Sequence, residues 1–225
     1  MEASRIRGGL RMRDSDRASD RGGAEAGAEG SDDEARALQL VSRFYEPTEE
    51  FARLCSVKGS ALPPPFAELL DHASHMTVAM ERFYGGPVSV AVLAVHDASG
   101  AAADGRDWYE REILLRAANG QVVQHGIVRI DLTRVSAEVA VQIRAGRVPL
   151  GRVLIAAGML LEVQRVGLLR VESGPRLRAA FGPEDPGPRT ACQTFGRVAE
   201  IALDGVPAVE LLEIVAPGPL PKVLP

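Results

Sequence analysis

A chain of 225 residues with 46% hydrophobic content has the size of one globular domain plus a tail. Its formal net charge of −4 argues against general nucleic-acid binding, which calls for a basic face. It leaves room for a few arginines gathered around an anionic metabolite. No apolar run reaches the roughly 18 residues of a membrane span, and residues 7–31 lack the hydrophobic stretch of a secretory leader. A cytoplasmic protein with no membrane or nucleic-acid partner is expected.

Residues 1–31 are rich in Gly, Ala, Ser, Arg and acids and have almost nothing to bury. They are expected to form a disordered tail, followed by a single domain over 32–220. Ser31 or Asp32 can cap a helix starting at Asp33 to Arg36. Leu38, Val41 and Tyr45 repeat at helical spacing, and Pro47 interrupts before Phe51 and Leu54. Pro63, Pro64 and Pro65 mark a linker, and Pro65 can open the next helix at its first position. Phe66, Leu69 and Leu70 form that helix's apolar stripe, with Met80 and Phe83 on a following one.

From Pro87 the pattern turns to strands, as Val88, Val90 and Val92 alternate. Across 108–116, Tyr109, Arg111, Ile113 and Leu115 share one face. Asn119-Gly120 signals a type I′ turn into a strand around 121–132. Residues 136–144 read as a short helix capped by Ser136, followed by a turn over 146–151. A strand around 159–171, a Pro/Gly-rich loop over 182–190 and a hairpin of 194–203 with 206–215 about Asp204-Gly205 complete the chain. Early helices and late hairpins predict an α+β fold, an antiparallel sheet with its helices grouped on one side.

Metal and covalent chemistry find little support. His72, His75, His96 and His125 match no metal motif, and Cys55 and Cys192 lie far apart. No phosphate-binding loop or nucleophile elbow occurs, so neither metal nor cofactor is expected. Arg111 stands out because arginine is almost never fully buried unless paired, yet it sits on an apolar strand face. It wants a carboxylate, either internally from Glu213 or from a ligand through two parallel hydrogen bonds. Glu213 likewise interrupts the row Val209, Leu211, Val215, an environment in which a carboxyl can exchange a proton near neutrality.

Four segments in fixed order strengthen these candidates: His75-Met76-Thr77, Arg111-Glu112-Ile113-Leu114-Leu115, Pro149-Leu150-Gly151-Arg152, and Glu213 four residues before Pro217. Together they resemble the chorismate pyruvate-lyases over roughly residues 65–217. The resemblance implies a chorismate lyase-like fold. It also implies a cofactor-free elimination of pyruvate from chorismate to give 4-hydroxybenzoate. Met76 and Leu150 would offer backbone groups, Arg111 would bind carboxylate, and Glu213 would lie by the ring hydroxyl. The family's second arginine after a strand glycine is missing here, because Ile127 follows Gly126. Arg129 is the expected stand-in, facing the enolpyruvyl carboxylate. The alternative is a non-catalytic module for a small aromatic acid, since effector domains of GntR-type regulators share the fold that the resemblance implies.

Overall fold

The computed structural model describes residues 19–97, 105–182 and 193–217, with side chains from residue 30. Its helices are α1 (Ser19–Val41), α2 (Pro64–Leu70), α3 (Met76–Tyr84), α4 (Ala137–Ala145), α5 (Leu150–Ala156) and α6 (Pro175–Phe181). Its strands are β1 (Ala52–Val57), β2 (Ser89–Asp97), β3 (Trp108–Arg116), β4 (Val122–Asp131), β5 (Leu161–Ser173), β6 (Gln193–Leu203) and β7 (Val206–Val215). They form one seven-stranded sheet in the order β1-β5-β6-β7-β4-β3-β2, antiparallel at every pairing. The α+β class with an antiparallel sheet is the one the sequence predicts.

Alternation along the strands divides the core between two faces. On one, Val128, Ile130, Ile201, Val209 and Leu211 pack against Ile143 of α4 and Val153 and Leu154 of α5. Its continuation sets Ile113, Leu115 and Val215 against Leu69 and Leu70 of α2 and Met76 and Met80 of α3. On the other face, Ile127, Val198, Leu212 and Ile214 pack against Ala37, Leu40 and Val41 of α1 and Leu177 of α6. The grouping of helices on one face thus holds for α2–α5. The central strands are apolar on both sides, so the opposite face also needs a cover, which α1 and α6 supply.

The second face also buries a polar cluster. His125 Nε2 lies 2.7 Å from Glu112 Oε1, and the Tyr45 hydroxyl donates to the same oxygen. Burial pushes the Glu112 carboxyl up, but the hydrogen bonds from His125 and Tyr45 outweigh it and hold the group below its ordinary value.

Several local expectations are revised. Helix α1 begins at Ser19 rather than at 33–36, extending through the helix-forming Ala and Glu residues of 24–29. Of the expected tail, residues 1–18 lie outside the described residues. Phe51 and Leu54, spaced like a helix, belong to the β1 region instead, because β1 finds a partner in β5. Gly120 has a positive φ of 84° and Asn119 does not, so that hairpin turns without a type I′ geometry. Asp204 and Gly205, at φ 50° and 80°, do adopt the left-handed pair that type I′ requires. Ser136 caps α4 as expected, accepting from the Val139 amide at 3.3 Å. Helices α5 and α6 were not foreseen, although each follows an extended Pro or Gly residue that starts a helix. Most of the expected 182–190 loop lies outside the described residues. Among the described residues no helix is long and apolar enough to cross a membrane.

Candidate functional site

A cavity opens between the sheet and the N-termini of α3 and α5. It is lined by His75, Met76, Thr77 and Pro149, Leu150, Gly151 from the helices. Ile113, Gln124, Val128, Arg197, Leu211 and Glu213 line it from β3, β4, β6 and β7. No side chain caps α3 or α5 at its N-terminus, so first-turn amides at the lining carry partial positive charge with no side-chain acceptor. Arg152, the last residue of the Pro-Leu-Gly-Arg turn, locks the two helices together through Glu81, Nη2 to Oε1 at 2.6 Å. The free space in the cavity is about 50 Å³, enough for water and too small for an aromatic ring. A larger, shallower concavity of about 560 Å³ lies at residues 30–34, 56–58 and 166–168. It gathers none of the candidate site residues Met76, Arg111, Arg129, Leu150 and Glu213.

Strand register builds the cavity floor. Ile113 faces Gly126, Gly126 faces Glu213, and Glu213 faces Arg197, giving one lateral row across β3, β4, β7 and β6. Gly126 leaves the middle of that row empty; a Cβ there would stand 3.1 Å from Ile113 Cγ1. Gly196 serves a different purpose, since a Cβ on it would come within 2.6 Å of the Glu213 carbonyl oxygen and force β6 from β7.

Glu213 does have an arginine partner, and it is Arg197. The Arg197 Nε donates to Glu213 Oε2 at 2.7 Å, and Gln124 Nε2 approaches Oε1 at 3.5 Å. Only 1% of Arg197 is exposed. Its Nη1 donates to the His72 carbonyl at 2.9 Å and its Nη2 to the Ser74 carbonyl at 3.2 Å. The sequence carries the same signal for Arg197 as for Arg111: a charge interrupting the apolar alternation Phe195, Ala199, Ile201. Burial, with Arg197 adding to it, holds the His72 imidazole below its ordinary value. Burial does the same to His75, with Glu213 opposing.

Arg111 stands in the next row, facing Val128, which faces Leu211; both neighbours line the cavity. It too is 1% exposed. One hydrogen bond, Nη1 to the Ile143 carbonyl at 3.2 Å, serves its guanidinium. Its Nε and Nη2 make no hydrogen bond of ordinary length and angle, and neither does the hydroxyl of adjacent Tyr109, the side-chain polar group that acts on the guanidinium. Burial pushes its pKa down, with Tyr109 opposing. Among the described residues no carboxylate pairs with it. The cavity therefore brings Met76, Leu150 and Glu213 together, with Arg111 behind its wall.

Arg129 lies elsewhere. It occupies the opposite sheet face, where Nε donates to Glu110 at 2.9 Å and Nη1 to Glu210 at 3.3 Å. Its guanidinium stacks 3.7 Å above the Trp108 ring. A strand places residues 127 and 129 away from the face of Gly126 and Val128, so the structure does not bring Arg129 to this cavity. Among the described residues no group of three or more His, Cys, Asp and Glu side chains is placed to hold a metal.

No protein-family model matches the chain, and no curated protein does. Solved structures do. PhnF from Mycobacterium smegmatis is 15% identical at a TM-score of 0.45, the match covering 64% of each chain. The chain thus spans less than two thirds of that protein. The effector domain of PhnF alone is 14% identical at a TM-score of 0.43, over 64% of this chain and 88% of that one. A GntR-family transcriptional regulator from Bacillus cereus is 9% identical at a TM-score of 0.39, covering 61% and 94%.

The α+β class rests on the chain's own seven-stranded antiparallel sheet and the helices that cover it. The Bacillus cereus protein is a transcriptional regulator by name and the PhnF fragment an effector domain, and none of the three is a lyase by name. That corrects the expectation of a chorismate pyruvate-lyase acting on chorismate, and the expectation of a protein with no nucleic-acid partner. The geometry leaves the enzymatic reading without two of its parts. Glu213 is engaged by Arg197, and Arg129 is on the other side of the sheet.

Proposed function

We propose that this domain is a non-catalytic module that binds a small anionic ligand, an aromatic carboxylic acid, in the cavity between α3, α5 and the sheet. The observation that carries this reading is the Arg111 guanidinium, buried beside the cavity wall with two nitrogens unpartnered. A buried charge without a partner is costly, and a ligand carboxylate is the group that two free N–H donors of one arginine fit. Arg197 and Glu213 already neutralise each other, so the site retains one positive charge next to the uncapped N-terminus of α3. Ile113, Val128, Leu150, Leu154, Ile201 and Leu211 offer the apolar wall that an aromatic ring needs. A nucleic-acid partner, met through another domain or another chain, is compatible with a module of this kind.

Calorimetric titration with benzoate and 4-hydroxybenzoate tests the proposal, with chorismate incubated in parallel and assayed for pyruvate. The expected outcome is carboxylate binding that is lost in Arg111→Ala, and no pyruvate. Failure of both acids to bind, or binding that Arg111→Ala leaves unchanged, would refute it.

A further inference from the structure

A cavity of about 50 Å³ is well below the roughly 300–1,000 Å³ of small-molecule sites, so one wall must move before a ring is admitted. The floor is the centre of a seven-stranded sheet, each strand there paired on both edges. The roof is different. Residues 71–75, between α2 and α3, form neither helix nor strand and deliver His75, Met76 and Thr77 to the lining.

Within that segment, Ser74 turns back on His72, its amide donating to Nδ1 at 3.2 Å. Toward the sheet, the segment's hydrogen bonds among the described residues all run to Arg197. That side chain reaches the His72 carbonyl, His72 Nδ1 and the Ser74 carbonyl. The same guanidinium grips Glu213 on the floor. One planar fork thus joins roof to floor.

We infer that Arg197 is the positioning residue of the ligand site: its guanidinium latches segment 71–75 over the cavity, and this segment is the part that opens. The inference rests on the binding function proposed above. Arg197 touches the segment's carbonyls and Glu213, and it acts on the ligand by setting where the α3 N-terminus stands. Opening breaks two charge-assisted hydrogen bonds to carbonyls and the contact with His72 Nδ1 while leaving the Arg197–Glu213 pair in the floor, so the sheet need not be disturbed.

Hydrogen exchange of the full chain without ligand, comparing wild type with Arg197→Lys, tests the latch. Lysine retains the charge that pairs with Glu213 but has no fork to span two carbonyls. Exchange over residues 72–77 should accelerate about tenfold or more, the effect of losing one hydrogen bond to a charged group, while β4 and β7 keep their protection. Association and dissociation of 4-hydroxybenzoate should both speed up, with Kd changing less than either rate.

Uniform acceleration across the sheet, or none at 72–77, would overturn the latch and leave Arg197 a structural residue. If the Lys variant does not fold, wild-type exchange decides. Residues 72–77 opening at lower free energy than β6 and β7 uphold the latch, and opening only together with the sheet overturns it. Local acceleration in a protein that binds neither aromatic acid would refute the binding function and uphold the latch.

Discussion

Replacing Arg111 with methionine should stabilise the unliganded protein and abolish its affinity for aromatic carboxylates. The arginine's Nε and Nη2 are buried without partners, and an unsatisfied buried donor costs about 1–3 kcal/mol. Against this stands one hydrogen bond to the Ile143 carbonyl, about 1.5–3 kcal/mol for a charged donor. Methionine keeps most of the stem's packing against Ile143 and Val128 and removes the charge. Two costs relieved, about 2–6 kcal/mol together, against one bond lost leave a net gain centred on about 1–2 kcal/mol. For a domain of this size that raises Tm by about 2–8 °C. Removing the partner of a ligand carboxylate should weaken binding by about 2–5 kcal/mol. Thermal unfolding and calorimetry on the same preparation read both quantities, and the reasoning requires opposite signs. A variant less stable than wild type, or one that holds 4-hydroxybenzoate with unchanged affinity, would show that the Arg111 charge is satisfied within the protein and serves no ligand.

Because the folded protein holds His72 and His75 below the ordinary value of 6.5, the unfolded chain binds their protons more readily. Their contribution to stability is complete above about pH 6.5 and is lost as the pH falls toward the lowered values; denaturant unfolding at pH 7 and pH 5 should register the decline, and a His72→Gln/His75→Gln variant should flatten it. Gly126→Ala puts a methyl group 3.1 Å from Ile113 Cγ1 beside Glu213. It should reduce 4-hydroxybenzoate affinity at least tenfold while costing about 1–3 kcal/mol of stability, and unchanged affinity would move the ligand off this floor. Arg129→Ala should cost about 1–2 kcal/mol of stability by unpairing Glu110 and Glu210 and exposing Trp108. Ligand affinity should stay as in wild type; a weakened Kd would return Arg129 to the site.

Local patterns carried much of this architecture. The period-two rows of β3 and β7 declared that Arg111 and Glu213 interrupt apolar faces. Asp204-Gly205 declared its hairpin, and Ser136 its helix start. Each depends on neighbours a few residues apart, which a linear chain displays. Strand β1 escaped because Phe51 and Leu54 have helical spacing and only the β5 edge, more than a hundred residues away, makes that stretch extended. Partner choice escaped for the same reason. Whether Glu213 meets Arg111 or Arg197 depends on the lateral register of β3, β4, β7 and β6. Strands β7 and β6 form a local hairpin that sets Arg197 directly opposite Glu213, while β4, with Val128 and Gly126, separates Arg111 from it. The sequence by itself determined which side chains are charged within apolar rows. Only the tertiary structure decided which charges cancel and which one is left without a carboxylate, because an ion pair needs atoms within a few ångströms, and pairing among distant strands sets those distances.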